Sequence, residues 1–253
     1  MKLVKRFKIW CRVINSLLAT FGGVKAHIFN GEETVKKVNE GKSLIRFGDG
    51  EFGIYQGKDI HYQQWSSSLK EAFQQIKEEY ENDSADSPYL LAVPKGFMTI
   101  SGWKLMKKRV YVSSWAESRL LFKKNFKHDI SYGDSFLFEK KNKEIYSQIW
   151  KSDSCPNNAI FVHNNQEYAK AFSTTYQKNT EHVQCPAKNA FEDIDRLECE
   201  IVSIVKKNGW TGKDVMIIIS AGPAGKVLVY RLSKLGYHCI DAGHCWDDPL
   251  EGI

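Results

Sequence analysis

Short apolar runs alternate with amphipathic segments along most of this chain. Each run is closed by polar residues, glycine or proline, and between the runs apolar residues recur every three or four positions. Continuous apolar runs are typical of buried strands in parallel sheets, and the 3–4 spacing is typical of helices. Five runs are interpreted as strands: 43–47, 89–93, 159–162, 214–219 and 237–241. The alternation predicts an α/β fold with one Rossmann-like domain and a mostly parallel sheet.

The remaining segments give the other predicted elements. Ser67 or Ser68 is the expected N-cap of a helix that runs to about Tyr80, because a serine hydroxyl can accept from an N–H group of the first turn. Residues 110–113 are interpreted as a short strand, and residues 131–138 fit either a strand or a loop. Further helices are predicted over 32–40, 103–108, 115–125, 144–150, 192–208 and 227–235.

The first predicted helix, over residues 2–21, is amphipathic and basic. It either packs on the domain as an ordinary helix or lies in the interface of an anionic membrane, and the sequence leaves both open. It cannot span a bilayer, because Arg12 and Asn15 interrupt an already short apolar run. We divide the chain into this helix (1–25) and the Rossmann-like domain (26–253). The apolar face is Leu3, Phe7, Trp10, Ile14, Leu17 and Phe21, and the basic residues are Lys2, Lys5, Arg6, Lys8 and Arg12.

Composition narrows the class of protein. The 253 residues are 42% hydrophobic and 26% charged, which is ordinary for a globular protein. The net charge of +6 fits an anionic ligand or membrane surface but is too small to indicate nucleic acid. Six cysteines without a C-x-x-C pair, and no evident cleavable signal peptide, favour reduced thiols in the cytoplasm. A zinc site at the tail matches no common spacing; its residues would be His238, Cys239, His244 and Cys245.

The strand at 43–47 leads into Arg46-Phe47-Gly48-Asp49-Gly50-Glu51. If this segment is extended, Asp49 and Glu51 project to the same side. Two carboxylates there suit Mg²⁺ or Mn²⁺ held jointly with a substrate diphosphate, and Arg46 adds a cation whose shape matches phosphate. Gly48 would let a ligand approach the backbone closely. The alternative is a plain turn, because Gly-Asp-Gly sequences are frequent in turns.

A second glycine-rich loop, residues 220–226, follows the isoleucine-rich strand and precedes a helix. This order offers backbone N–H groups to an anion. The loop is not a Walker A motif, because only two residues separate Gly222 from Gly225 where that motif has four. It is either a phosphate or nucleotide site or a plain β–α turn. The residues expected to contact a nucleotide are Ser220, Gly222, Ala224 and Lys226.

Asp241 and His244 flank the end of the last predicted strand. The carboxyl ends of parallel strands open on one edge of a sheet, so we expect these residues to meet Asp49, Glu51 and the 220–226 loop. His244 is a candidate metal ligand or phosphate donor. These parts suit glycosyl transfer from a nucleotide sugar, because cations stabilise the departing diphosphate and a carboxylate can accept the proton of the acceptor hydroxyl. The sequence does not choose the base among Glu117, Asp134 and Asp241.

Four blocks of the sequence resemble the GT-D fold glycosyltransferases, a family first catalogued as a domain of unknown function. The blocks occur in the order typical of that family, and the similarity covers residues 30–247. Residues 164–168 depart from it, because the family carries a glycine-rich motif there. The blocks are Arg46-Phe47-Gly48-Asp49-Gly50-Glu51, Cys185-Pro186-Ala187-Lys188-Asn189-Ala190-Phe191, Ala221-Gly222-Pro223-Ala224 and Asp241-Ala242-Gly243-His244.

The resemblance implies a metal-binding D-x-E element at Asp49 and Glu51, with Mn²⁺ or Mg²⁺. It also implies nucleotide contacts at the Gly222 loop and around Asn189, and a UDP-sugar donor. We therefore predict a metal-dependent glycosyltransferase that moves a hexose to a bacterial surface glycan or glycoprotein, whether protein-linked or lipid-linked. We expect it in the cytoplasm or on the inner face of the plasma membrane, with homo-oligomerisation left open.

Two alternatives to catalysis of glycosyl transfer stay open. One is a non-catalytic nucleotide-sugar-binding partner of another transferase, which the departure at 164–168 favours. The other is a Rossmann-fold hydrolase or phosphotransferase that uses the same metal.

Overall fold

A computed structural model describes residues 2–108, 112–243 and 245 of the chain. Within these residues, eight strands form one sheet in the order β1-β4-β3-β2-β8-β7-β5-β6, and all the strand pairs are parallel. The predicted α/β fold with a mostly parallel sheet is therefore confirmed. The strands are β1 His27–Ile28, β2 Ser43–Arg46, β3 Tyr89–Val93, β4 Ser131–Asp134, β5 Asn158–His163, β6 Asn179–Gln184, β7 Val215–Ile219 and β8 His238–Asp241.

Helices connect and cover these strands, as parallel pairing requires. Two 3₁₀ turns, Lys140–Asn142 and Ala190–Asp193, precede the eighth and tenth helices. The α-helices of the described residues are α1 Lys2–Ala19, α2 Gly31–Asn39, α3 Asp49–Tyr55, α4 Ser67–Asn82, α5 Lys95–Met98, α6 Gly102–Met106, α7 Val112–Asn125, α8 Lys143–Lys151, α9 Gln166–Tyr176, α10 Ile194–Lys207 and α11 Gly222–Lys234.

The central strands β3 and β7 are buried along their whole length, which explains their unbroken apolar sequences. The edge strand β6 has a different composition. Its sequence is Asn-Thr-Glu-His-Val-Gln, and Val183 is its one buried residue, so no apolar run marked it in the sequence. The two-residue strand β1 and the mostly exposed helix α9 were missed for the same reason: they bury few side chains.

The predicted strand at 110–113 is wrong from Val112 onward. Val112 begins α7: the buried residues Val112, Trp115, Arg119 and Phe122 follow the 3–4 spacing of one helical face. Val110 and Tyr111 lie outside the described residues.

The segment after β2 is also different from the sequence expectation. Asp49 and Glu51 do not lie on an extended chain; they are the first and third residues of α3. Gly48 is the extended N-cap, and both carboxylates lie in the first turn, where the helix dipole favours negative charge. Their side chains therefore point in different directions, because successive helical positions are rotated by about 100°.

Helix α1 packs along α7 and buries Val13 and Leu17 against it. The end of α1 is tied to the domain by backbone bonds: Gly102 N donates to Phe21 O at 2.6 Å, and Val24 N donates to Met98 O at 2.8 Å. In the described part of the chain, no helix has the length and apolarity needed to cross a bilayer.

Candidate functional site

A cleft of about 670 Å³ opens along the carboxyl edge of the sheet. Its walls include the loops after β2, β4, β5, β6, β7 and β8, together with the first turns of α3, α7 and α11. This edge is where parallel sheets bind ligands, because the strand ends diverge there and helices begin there. The glycine-rich segments at 48–51 and 220–226 meet in this cleft, as the sequence predicts.

The carboxylate of Glu51 closes the start of its own helix. Its Oε2 accepts a hydrogen bond from Gly48 N at 2.7 Å, which is one half of a capping box. Its Oε1 lies 3.3 Å from the Lys226 ammonium. Glu51 is buried, so both of its oxygens are engaged by protein groups.

Lys226 joins the two glycine-rich segments to the last strand. Its Nζ lies 3.2 Å from Asp241 Oδ2 as well as close to Glu51. Burial alone would lower the pKa of Lys226, but the Asp241 and Glu51 carboxylates outweigh it and raise that pKa, so the side chain is an ammonium ion. This buried cation forms part of the cleft wall.

Arg46 connects three elements at the floor of the cleft. Its Nε donates to Asp241 O at 2.7 Å and its Nη1 donates to Ser135 O at 2.8 Å. Its guanidinium carbon lies 5.1 Å from the centre of the Phe138 ring, in the geometry of a cation–π contact. Arg46 was predicted to bind the nucleotide; the structure uses it to hold β2, β8 and the loop after β4 together, with one edge in the cleft.

The residues assigned to a metal do not form a two-carboxylate site in this structure. Both oxygens of Glu51 are already paired, and no group of three or more His, Cys, Asp or Glu side chains among the described residues could hold a metal ion. The third predicted ligand, His244, lies outside the described residues. Of the two D-x-E carboxylates, that of Asp49 is the one without a cationic partner among the described residues, and it lies in the cleft lining.

Asp49 is solvent-exposed yet lies inside the concave cleft. Desolvation by the cleft walls raises its pKa, the Glu51 carboxylate raises it further, and a hydrogen bond with Ser114 of α7 opposes both effects. Within the described residues it has no cationic partner, in contrast to Glu51. Asp49 is therefore the carboxylate most suited to accept a proton here.

The first turn of α11 lies in the cleft across from α3. No side chain caps this helix, and Gly222, its first residue, has a φ of 54°. A Cβ at Gly222 would lie 2.8 Å from Cε2 of Tyr62, so the glycine lets this ring pack on the loop. Burial raises the pKa of Tyr62 to about 12, and the Glu51 carboxylate adds to the rise, so the phenol keeps its proton. Pro223, the second residue, has no N–H group, so the uncapped donors of this turn are the backbone N–H groups of Gly222 and Ala224, of the kind that bind anions at helix starts.

Only some of the other residues predicted to contact a nucleotide lie in the cleft. Ser220 and Gly222 line the cleft with Lys226, and Gly48 lines it from α3. Ala224 is fully buried behind the loop. Asn189 adopts the left-handed conformation, and its Oδ1 accepts from Gln64 N at 2.8 Å, so it fixes the loop that carries Tyr62.

Of the three candidate bases, only Glu117 lines the cleft. It is already paired, because Lys58 Nζ lies 2.7 Å from its Oε2. Asp134 accepts from the backbone N–H groups of Lys95 and Phe136 at 3.2 and 3.1 Å. Asp241, also predicted to be catalytic, is fully buried beneath Arg46 and Lys226, where it positions those cations.

Sequence reasoning missed His163 at the end of β5. This histidine is buried in the cleft wall, and its Nδ1 accepts from Asn165 N at 2.9 Å, which leaves Nε2 as the protonated ring nitrogen. The sequence predicted that this strand ends at Val162, whereas β5 includes His163. His163 could have been found as the first polar residue after the apolar run, because that position lies at the ligand-binding edge of a parallel sheet.

A family model described as glycosyltransferase GT-D fold matches residues 44–248 of this chain. This stretch covers most of the chain and contains both glycine-rich segments of the cleft. The chain belongs to the GT-D fold family of glycosyltransferases. The resemblance seen in the four sequence blocks is thereby confirmed.

Two curated relatives of this GT-D chain come from streptococci. Glycosyltransferase GlyD of Streptococcus pneumoniae serotype 4 is 23% identical over 230 residues, which is 84% of this chain and 26% of GlyD. The probable glycosyl transferase Gly of Streptococcus gordonii is 19% identical over 230 residues, covering 82% of this chain and 30% of Gly. The chain thus matches less than a third of the length of either relative.

Solved structures share the GT-D architecture. The highly conserved domain of unknown function 1792, described as having a distinct glycosyltransferase fold, matches with a TM-score of 0.70 at 24% identity, covering 93% of this chain and 83% of that one. A glycosyltransferase with this domain from Streptococcus sanguinis matches with a TM-score of 0.68 at 20% identity, covering 88% and 83%. These similarities establish the fold.

Proposed function

We propose that this GT-D protein transfers a hexose from a UDP-sugar to a bacterial surface glycan or glycoprotein, working in the cytoplasm or at the inner face of the plasma membrane. The proposal rests on one observation: a single cleft holds two kinds of group. The uncapped start of α11 lies beside the buried Lys226 ammonium, and this combination suits a diphosphate. The Asp49 carboxylate, which has no cationic partner among the described residues, suits an acceptor hydroxyl.

The diphosphate of the donor binds at the start of α11. Its oxygens accept from the uncapped backbone N–H groups of the first turn, and the Lys226 ammonium supplies positive charge from the side of β8. Charge on the diphosphate grows as its bond to the sugar breaks, so a fixed cation there stabilises the transition state more than the ground state. Arg46 and Asp241 hold Lys226 in this position through the contacts described above.

The acceptor hydroxyl is placed beside Asp49. Its oxygen forms a bond to the anomeric carbon, the bond from that carbon to the diphosphate breaks, and the hydroxyl proton passes to the Asp49 carboxylate. UDP leaves with the bonding electron pair. A raised pKa makes Asp49 a stronger base than an ordinary aspartate, provided that the pH lies above that pKa.

The requirement for Mn²⁺ or Mg²⁺ stays a prediction of the sequence, and no step above depends on it. A bound divalent ion would supply Lewis-acid stabilisation of the leaving diphosphate. In the described residues, however, Asp49 is the one carboxylate of the D-x-E element that is not already paired with a cation. Homo-oligomerisation likewise stays open.

The experiment that tests this function is slow turnover of UDP-sugars without an acceptor, with product analysis to identify the bond that is cut. The reactions are run in Mn²⁺, in Mg²⁺ and in EDTA. Cleavage between sugar and phosphate that disappears in Asp49→Asn supports the transferase. Cleavage within the diphosphate would instead indicate a hydrolase, and UDP-sugar binding without any turnover, even with glycan acceptors, would indicate a non-catalytic partner.

A further inference from the structure

Helix α1 presents a row of large apolar side chains to solvent. Phe7 is 71% exposed, Trp10 58%, Ile14 50% and Leu18 65%, and they follow the 3–4 spacing of one helical face. The face that packs on the domain is a different one, with Val13, Leu17 and the small polar residue Ser16. The helix is therefore docked and still carries an apolar face that the described part of the chain does not cover.

Helix α6 extends this surface beyond the end of α1. The Trp103 ring, which is 64% exposed, makes an edge contact with Phe21 at 5.7 Å between ring centres. Met106 on the next turn is also exposed. We call the exposed residues Phe7, Trp10, Ile14, Leu18, Trp103 and Met106 the apolar strip.

The segments that carry the apolar strip are the basic part of this protein. Residues 1–31 and 87–116 contain eleven of the 36 Lys and Arg residues and none of the 30 Asp and Glu residues. Because the whole chain has a net charge of +6, the rest of it carries −5. In the described residues, Arg12, Lys104, Lys107 and Lys108 are exposed beside the strip.

The apolar strip lies directly behind one wall of the cleft. Helix α7 packs on α1, and its residues Ser114 and Glu117 line the cleft. Glu117 is within 3.9 Å of Arg12 on α1 and 2.7 Å of Lys58 at the cleft. A surface that binds the strip is therefore separated from the cleft by the single helix α7.

We propose that the apolar strip and its flanking cations bind an anionic lipid bilayer, in the plane of the interface. Exposed tryptophans beside lysines are typical of interfacial helices, and charge of a single sign over two segments matches anionic headgroups rather than a second copy of this basic surface. Binding in this way would hold the cleft near a lipid-linked acceptor. The role of such an acceptor rests on the proposed glycosyl transfer, whereas binding of the strip to the bilayer does not.

The test is co-sedimentation of the full-length protein with vesicles of equal parts phosphatidylglycerol and phosphatidylcholine, compared with pure phosphatidylcholine. Binding is expected to the first and to fall steeply as salt is added. The double variant Phe7→Ser, Trp10→Ser should lose binding. Replacing Lys104, Lys107 and Lys108 with Gln should weaken it by on the order of 100-fold, because each charge near an anionic surface contributes about tenfold or less.

The matched control is Leu235→Ser, which removes an apolar side chain of similar exposure, 60%, from the acidic remainder of the chain. It should bind vesicles as the wild type does. Circular dichroism should show all variants folded, since every changed residue is exposed. The assay contains no donor sugar, so its result is independent of the proposed reaction.

Three results would overturn the proposal. They are the absence of sedimentation with anionic vesicles, equal binding to neutral vesicles, and a solution dimer that the Phe7→Ser, Trp10→Ser variant dissociates. The last would assign the apolar strip to contact between copies of this chain.

Discussion

Two of the helices that begin at the cleft, α3 and α11, differ in how the N–H groups of their first turns are satisfied. Helix α3 is closed by its own Glu51, which bonds back to Gly48 N, and it carries two acidic residues in its first turn. Helix α11 has no side-chain cap and no acidic residue in its first turn. The Lys226 ammonium lies between them and pairs with Glu51 on one side and Asp241 on the other.

The difference assigns separate tasks to the two helices. The start of α3 already has its counter-charge, so it rejects an anion and leaves Asp49 for acid–base work. The start of α11 has unsatisfied donors and a neighbouring cation, so it attracts one. A D-x-E pattern alone cannot reveal this division, because it assigns both carboxylates the same role.

The largest effect is expected at Asp49. Asp49→Asn keeps the size of the side chain and one acceptor oxygen but cannot accept a proton, so turnover should fall by about 10²–10⁴-fold. Steady-state kinetics with a UDP-sugar measure it, and an unchanged melting temperature is the control for folding. Wild-type turnover in this variant would remove Asp49 from the reaction.

Lys226→Met comes next, because it leaves the buried Glu51 carboxylate without its cation and leaves Asp241 with Arg46 alone. The free energy of unfolding should fall by about 3–5 kcal/mol and UDP binding should weaken. Lys234→Met on the same helix removes a more exposed ion pair with Glu79 and should cost about 0–1 kcal/mol without affecting UDP. Chemical denaturation and calorimetry measure the two quantities, and Lys226→Arg should recover part of both. Equal losses of stability and of UDP binding at the two positions would contradict a special role for Lys226.

A smaller effect is expected at the α11 turn. Gly222→Ala places a Cβ against the Tyr62 ring at a left-handed φ, so it should cost about 1–2 kcal/mol of stability and weaken donor binding. Gly209→Ala is the matched control: its φ is 68° and it has open space around it, so it should lose stability alone. If both variants bind UDP as the wild type does, the turn does not contact the donor.

The smallest effect is a shift in pH dependence. Because the cleft raises the pKa of Asp49, the base becomes protonated as the pH falls through a value above that of an ordinary aspartate, and kcat/KM should decline there. Ser114→Ala removes a hydrogen bond that lowers this pKa, so the acidic limb should move to higher pH. If the acidic limb of the kcat/KM profile does not move in Ser114→Ala, a group other than Asp49 causes it.

Sequence reasoning predicted the parts of the fold that bury apolar runs, such as β3 and β7, and placed both glycine-rich segments at one edge. It failed where burial is sparse, as at β6, and where a helix begins with glycines. Gly48 and Gly222 suggested loops, whereas the helices α3 and α11 begin at once. The ion pairs of Lys226 join residues far apart in the chain, so no local pattern could predict them.

The diphosphate site at the start of α11 is best tested by calorimetric titration of UDP into the wild type, Lys226→Met and Lys234→Met, each in Mn²⁺ and in EDTA. UDP is expected to bind the wild type, Lys226→Met to weaken binding by about tenfold or more, and Lys234→Met to leave it unchanged. No binding of UDP in either buffer, or equal affinity in all three proteins, would contradict a diphosphate site at the start of α11.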